Sequence, residues 1–199
     1  MTDKLELDNT VGRIFYTTQS GFLSDSLGTK GDYIRVPKEQ AILVGSLCED
    51  GSHAPILDID FSAEVVRLVN RKYAAVYLHK AILFRKFLIF LEVLCRVGLV
   101  SSDFRKMAEW IIQPDGGLTS ILEVEFPIQL IPSTTPRHYH LYLDRKISWE
   151  QYVLVLESAH EAGIISIGFY EMSIKNGQSM VLLPGKDRVK TTIGPRINT

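Results

Sequence analysis

Two segments of the chain carry a helical pattern of apolar and polar positions most clearly. In residues 81–97 the charged side chains fall on roughly one side of a 3.6-residue repeat and apolar side chains cover much of the rest, which predicts a mostly buried helix. Further along, Ser148 and Gln151 form an S-x-x-Q capping box, which is typical of a helix start. This second helix is expected to end at Gly163, because glycine readily adopts the left-handed conformation found after helices.

The clearest strand pattern lies in residues 138–144, where polar and apolar side chains alternate. Successive side chains of a strand point to opposite faces. One face is therefore predicted to carry His138, His140, Tyr142 and Asp144, and the other face is predicted to be apolar.

Weaker patterns complete an α+β prediction with mainly antiparallel strands. Further strands are predicted at residues 13–16, 40–45, 55–61, 121–131, 164–174 and 179–183, and short helices at residues 65–69 and 104–112. The strands at 40–45 and 55–61 are separated by a polar loop of hairpin-compatible length, which favours direct pairing. Ser62 is the expected N-cap of the first short helix, and Pro127 suits an edge or a bulge of its strand.

The composition is that of one globular domain. The chain has 199 residues, of which 46% are apolar and 23% charged, enough to bury a continuous core. We expect a single domain over residues 1–199, with its core at about 40–185, an irregular N-terminal part at 1–39 and a loose basic tail at 186–199.

Charge and cysteine content narrow the classes of function. A formal net charge of −1 argues against a globally basic surface, so any contact with nucleic acid must be local. Cys48 and Cys95 lack zinc-binding spacing and are predicted to be buried thiols. The N-terminus has no secretion signal and residues 81–100 contain too many charges for a membrane span, so a cytoplasmic location without membrane contact is expected.

Asp58 and Asp60 are the first candidates for chemistry. They lie two residues apart in a predicted strand, so both carboxylates project from one face. Two close carboxylates repel each other unless a proton or a cation intervenes, and hard oxygen ligands favour Mg²⁺ or Mn²⁺. The alternative is a pair of solvent-facing or capping aspartates at a strand end.

His138 and His140 are the second candidates, because the same alternation places both imidazoles on one strand face. A neutral imidazole suits a transition metal or a hydrogen bond to phosphate, and a histidine also transfers protons near neutral pH. The adjacent Arg137 offers a further phosphate contact. The alternative is an ordinary half-exposed strand with polar residues outward.

Two motifs together resemble the hDhD and s-x-H motifs of archaeo-eukaryotic primases and primase-polymerases. They are Leu57-Asp58-Ile59-Asp60 and the later segment Ser133-Thr134-Thr135-Pro136-Arg137-His138-Tyr139-His140-Leu141-Tyr142. The resemblance implies a palm-like (RRM-like) sheet with helices on one face, in which Asp58 and Asp60 hold the catalytic metals. It also implies that His140 contacts the phosphates of the incoming nucleotide and that the loop from Ser133 to Thr135 lies beside it.

The same resemblance implies further parts of the machinery. Gly177, Val181 and Pro184 look like the pattern that follows the third acidic motif of the family, whose acid here is Glu171, with Asp144 as an outside candidate. The expected substrates are nucleoside triphosphates and a single-stranded DNA template, in phage, plasmid or cellular DNA replication. No helicase segment accompanies the motifs, so a helicase or another replication protein is an expected partner.

Two other functions remain open from the sequence. His138-Tyr139-His140 is also an H-U-H sequence and resembles the metal-binding strand of rolling-circle initiators and relaxases, for which Tyr152 or Tyr170 would be the nucleophile. The third possibility is an inactive primase-like domain that binds nucleic acid, nucleotide or protein. Aromatics that could lie on the surface, Tyr142 and Trp149 among them, would permit stacking on single strands in that case. Ordinary packing is the alternative for each ring and is the favoured one for Trp149.

Overall fold

A computed structural model describes residues 7–18, 33–59, 66–70, 73–78, 84–99, 111–112, 118–123, 128–133 and 138–183. Within these ranges the strands are β1 (Arg13–Thr18), β2 (Tyr33–Arg35), β3 (Leu43–Cys48), β4 (Ile56–Ile59), β5 (Val66–Asn70), β6 (Tyr73–Leu78), β7 (Ile111–Ile112), β8 (Leu118–Glu123), β9 (Ile128–Pro132), β10 (Tyr139–Leu143) and β11 (Met180–Leu182). The helices are α1 (Phe84–Arg96), α2 (Trp149–Glu161) and α3 (Ile167–Asn176), and a 3₁₀ turn, Lys38–Gln40, precedes β3. The described strands pair antiparallel, which confirms the predicted α+β class.

The strands form three sheets. The first sheet has the order β11-β3-β1-β2, the second β4-β10-β9 and the third β5-β6-β8-β7. The predicted hairpin of β3 with β4 is wrong, because these two strands belong to different sheets. A local turn does form, with the Ala54 amide donating to the Ser46 carbonyl, but after Pro55 the chain leaves to pair with β10.

The second sheet is packed on both of its faces. Because side chains alternate along β4 and β10, one face points toward α1 and α2 and the other toward the first sheet. The helix-side cluster includes Leu57, Leu91, Leu94, Leu143, Val155 and Leu156. The sheet-side cluster includes Phe15, Val44, Ile56, Ile131, Tyr142 and Val181.

Helices α1 and α2 begin and end close to where the sequence predicts. At the start of α2 both halves of the capping box are present, since the Gln151 amide donates to Ser148 Oγ and the Ser148 amide donates to the Gln151 side chain. The left-handed Gly163, with φ of 73°, follows its last turn. Both helix ends were predictable because a capping box and a C-terminal glycine act within the helix itself and need no tertiary contact.

The segment predicted as a strand at residues 164–174 is instead helix α3. The Ser166 hydroxyl caps it by accepting from the Phe169 amide, and Gly177 ends it in the left-handed conformation. The predicted turn at residues 175–178 is therefore the end of a helix. The isoleucines that favoured a strand differ in burial: Ile165 is buried, whereas Ile167 and Ile174 are exposed.

Other predicted elements need correction too. Val66–Asn70 lies in strand β5 rather than in a helix capped by Ser62, which itself lies outside the described residues. Ile111–Ile112 is a strand where a helix end was predicted, and residues 104–110 are outside the described ranges. The single strand predicted at 121–131 is two strands in different sheets, β8 and β9. The two cysteines differ, since Cys48 is buried as predicted and Cys95 is half-buried.

Candidate functional site

The pairing of β4 with β10 places Asp58 directly opposite His140. Directly opposed residues of an antiparallel pair project from the same face. The His140 Nε2 atom lies 3.4 Å from Asp58 Oδ1, and the two side chains are 7% and 26% exposed. The structure thus brings together one residue from each of the two motifs.

This pair combines a carboxylate with an imidazole. The interaction is an ion pair when the imidazole is protonated, and a carboxylate oxygen and an imidazole nitrogen are both types of atom that bind cations in proteins. A quarter of the Asp58 side chain is exposed while His140 is nearly buried, so the pair meets solvent on the Asp58 side.

The facing ends of β9 and β10 lie at the same end of the second sheet as the end of β4. Tyr139 pairs with Ile59 on one side and with Pro132 on the other, so Ile59 and Pro132 flank the start of β10. The Ser133 amide donates to the His138 carbonyl at 2.8 Å and closes the loop. Ser133 and His138 are half-buried there.

Four of the predicted site residues fall outside the described part of the chain: Asp60, Thr134, Thr135 and Arg137. Asp60 follows Ile59, the last residue of β4. The other three lie between Ser133 and His138 in the sequence. Their roles stay predictions.

The third acidic residue of the predicted metal site is not beside this pair. Glu171 was predicted on a strand, but it lies exposed on helix α3. Asp144, the outside candidate, is buried and its Oδ1 accepts from Arg13 Nη1 at 2.6 Å. Among the described residues no group of three histidine, cysteine or acidic side chains could hold a metal ion.

A divalent cation therefore fits the described residues only in part. Asp58 would supply a carboxylate oxygen and His140 a nitrogen, a donor pair that suits Mn²⁺ better than the oxygen-preferring Mg²⁺. With two protein ligands, the rest of the coordination sphere would have to come from water, from phosphate oxygens or from Asp60.

A buried charged network lies at the end of β10, and no short sequence pattern predicts it. Arg13 donates to Asp144 and, through Nη2, to the Leu143 carbonyl at 3.0 Å. Gln129 Nε2 donates to Asp144 Oδ2 at 2.6 Å. Arg13 is 131 residues from Asp144 in sequence, so only the tertiary fold reveals the pair. The network fixes the end of β10 beside β1.

The tyrosines needed by the strand-nicking alternative have different environments. Tyr152 is fully buried, and its hydroxyl donates to the Ile56 carbonyl at 2.6 Å and accepts from the Ile56 amide at 3.0 Å. Burial raises the pKa of Tyr152 to about 12. A nucleophile must be reachable and readily deprotonated, so these contacts argue against Tyr152 in that role. Tyr170 is half-buried on α3, stacked on His160 at 5.3 Å.

Both aromatics considered for base stacking pack within the fold, as was favoured for Trp149. Tyr142 is completely buried, so it does not offer a stacking surface to a single strand. Trp149 is half-buried and packs on the ring of His53, with centroids 4.9 Å apart. Neither ring is an exposed platform for bases.

The described residues thus define an α+β protein of antiparallel sheets with one aspartate–histidine pair at the end of its second sheet. The chain matches no protein-family model, no curated protein and no solved structure. In the described part of the chain, no helix has the length and apolar character needed to cross a membrane.

Proposed function

We propose that this protein is a metal-dependent nucleotidyltransferase of the DNA primase and primase-polymerase kind, built on a palm-like sheet. Asp58 and Asp60 hold Mg²⁺ or Mn²⁺ in this proposal, and His140 steadies the triphosphate. The observation that supports it is the contact of Asp58 with His140, which joins two distant motifs on one sheet face.

The reaction follows from the groups near this pair. A 3′-hydroxyl attacks the α-phosphorus of a nucleoside triphosphate, a new P–O bond forms, the bond to pyrophosphate breaks, and the hydroxyl proton passes to solvent water. A divalent cation beside Asp58 would neutralise the charge on the phosphate oxygens. An N–H of the His140 imidazole donates a hydrogen bond to a phosphate oxygen, and Ser133, Thr134 and Thr135 supply further donors.

Arg137 and His138 complete the phosphate contacts in this proposal, since they follow Ser133, Thr134 and Thr135 closely in the sequence. The template is a single strand of DNA, bound locally because the chain has a formal net charge of only −1. A helicase or another replication protein in the cytoplasm is the proposed partner. Glu171 is left out of the metal site because of its exposed place on α3.

A second candidate function is nucleotide binding without turnover. One observation favours it: beyond His140 the same sheet face is covered by the first sheet, so that Tyr142 and Asp144 are buried. A polymerising palm needs an open face for its template, whereas a nucleotide alone needs only the accessible end of the sheet near Asp58.

The proposal is tested by ligand-induced stabilisation followed by turnover. A ligand at 100 times its Kd stabilises a protein by about 2.7 kcal/mol, which raises the Tm of a chain of this size by about 5–10 °C. We expect such a shift with Mn²⁺ and a nucleoside triphosphate for wild type, and its loss in Asp58→Asn and His140→Gln. Incorporation of labelled nucleotide on a single-stranded template then separates the two candidate functions.

Glu171→Gln is the matched control, since it neutralises an exposed acid away from the pair. It should keep the full shift. A shift that survives both Asp58→Asn and His140→Gln would place the ligand elsewhere and end the proposal, and a shift without incorporation would leave the binding function.

A further inference from the structure

Helices α2 and α3 leave large apolar side chains in contact with solvent. Among the described residues five large apolar side chains are exposed, and three of them lie on these two helices. They are Leu154 on α2, at 38%, and Ile167 and Ile174 on α3, at 51% and 37%. A single exposed apolar side chain is ordinary, whereas a group of them is typical of an interaction surface.

A stack of two rings joins the exposed sides of these helices. The His160 ring of α2 lies nearly parallel to the Tyr170 ring of α3, with centroids 5.3 Å apart. Residues three or four apart on a helix are neighbours, so Tyr170 is flanked by Ile167 and Ile174. On α2, His160 follows Glu157 by three residues in the same way. The two rows of side chains are therefore parts of one surface.

Acidic side chains lie among the apolar ones. Glu157 and Glu161 are exposed on α2, and Glu171 is exposed between the two isoleucines of α3. The sequence of α2 contains no lysine or arginine, and that of α3 contains only Lys175. We call this region the acidic–apolar surface, and it consists of Leu154, Glu157, Glu161, Ile167, Glu171 and Ile174.

Gly168 is exposed beside Ile167, and the fold does not require a glycine there. Its backbone is not in the left-handed conformation, and a Cβ at this position would meet nothing within 4 Å. Alanine is the better residue within a helix, so glycine has a cost here without a benefit inside the fold. A glycine does permit the close approach of a bound segment to the helix backbone.

The charges distinguish between the possible partners. Nucleic acids and anionic lipid surfaces are negatively charged, so the glutamates repel both. A second copy of this chain would bring the same glutamates against each other. A segment that combines lysine or arginine with apolar side chains complements both features of the surface. Because α2 and α3 offer no strand edge, that segment is expected to dock as a helix, through apolar side chains three or four residues apart.

We infer that the acidic–apolar surface binds a basic amphipathic helix of another protein. The apolar side chains of that helix cover the exposed leucine and isoleucines, and its lysines or arginines pair with the glutamates. This interaction goes beyond the proposed nucleotide site and does not depend on it, since it rests on α2 and α3 alone.

The probe is a synthetic leucine–lysine peptide of about 15 residues with helical spacing, long enough to form a helix. Its binding to the full chain is measured by fluorescence anisotropy, beside a leucine–glutamate peptide of the same pattern. Wild type should bind only the leucine–lysine peptide. Ile167→Ser should weaken binding about three- to tenfold, because half of that side chain is exposed and available for burial. The double variant Glu157→Gln/Glu161→Gln should bind more weakly and respond less to salt.

Two further variants separate docking from general effects. Ile89→Ser/Glu92→Gln is the matched control, since it removes an exposed isoleucine and an exposed glutamate three residues apart on α1, and it should bind as wild type does. Gly168→Ala should keep or raise the Tm of the free protein and yet weaken peptide binding.

Four results would overturn the inference. They are the absence of peptide binding by wild type, an equal loss of binding in the α1 control, undiminished affinity in Ile167→Ser, and undiminished affinity in Gly168→Ala. Sedimentation of wild type gives a further check. A concentration-dependent dimer that Ile167→Ser abolishes would assign the surface to a second copy of the chain and would also overturn it.

Discussion

The Arg13–Asp144 pair offers a prediction about stability that depends directly on tertiary structure. Its side chains are 0% and 2% exposed, and Arg13 Nη1 lies 2.6 Å from Asp144 Oδ1. Arg13→Met leaves the Asp144 carboxylate buried with Gln129 as its remaining side-chain donor. Asp144→Ala leaves a buried guanidinium with the Leu143 carbonyl as its acceptor.

Each single substitution should therefore destabilise strongly. Removing one partner of a buried ion pair costs about 3–5 kcal/mol, because the other charge stays buried without compensation. Against a total stability of about 5–15 kcal/mol this is a large fraction, and it corresponds to a fall in Tm of about 6–20 °C. The double variant removes both charges, so its loss should be smaller than the sum of the two single losses.

Urea unfolding of wild type, both single variants and the double variant measures this double-mutant cycle. We expect a coupling free energy of at least about 2 kcal/mol, as found for residues in one buried network. Losses that add, or single losses below about 1 kcal/mol, would show that Arg13 and Asp144 are not a buried pair and would refute the arrangement of β1 beside the end of β10.

Two further predictions concern other buried positions. The His53 ring packs against Trp149 and Tyr152, and burial lowers its pKa, with a smaller opposing effect of Glu150 that raises it. The unfolded state therefore takes up the proton at a higher pH than the folded state, so the free energy of unfolding should fall as pH drops below about 6.5. In urea titrations His53→Gln should lose less of its free energy of unfolding between about pH 7.5 and 5.5 than wild type does. A Cβ at Gly45 would lie 2.5 Å from Gln178 Oε1 and 2.7 Å from Tyr16 Cε2, so Gly45→Ala should lower stability by about 1–3 kcal/mol in the same assay, and an unchanged midpoint would contradict this close packing.

The parts of the fold that were predictable from sequence are those with local causes. The capping box of Ser148 and Gln151 acts within one turn, and the alternation in β10 needs only the geometry of a strand. Both were predicted for that reason. The register that places His140 beside Asp58 is not local: the alternation predicts which residues share a face, and the pairing of β4 with β10 decides which of them lie opposite each other.

The errors have non-local causes or weak local signals. The sequence of Val66–Asn70 is compatible with a helix or with a strand, and its antiparallel pairing with β6 makes it a strand. Helix α3 has local start and end signals in its sequence, Ser166 as N-cap and Gly177 as C-cap. The isoleucines in the segment were weighed more heavily and led to the strand prediction. Tyr142 is buried because the first sheet packs over β10, and no short sequence pattern predicts that contact.

The most direct test of the central claim is an anomalous difference map from crystals soaked in Mn²⁺ and a nucleoside triphosphate. We predict a manganese peak beside the Asp58 carboxylate, on the sheet face shared with His140, with triphosphate density next to the imidazole. A map with Asp58 and His140 on opposite faces of the sheet, or with manganese bound only elsewhere, would contradict the claim.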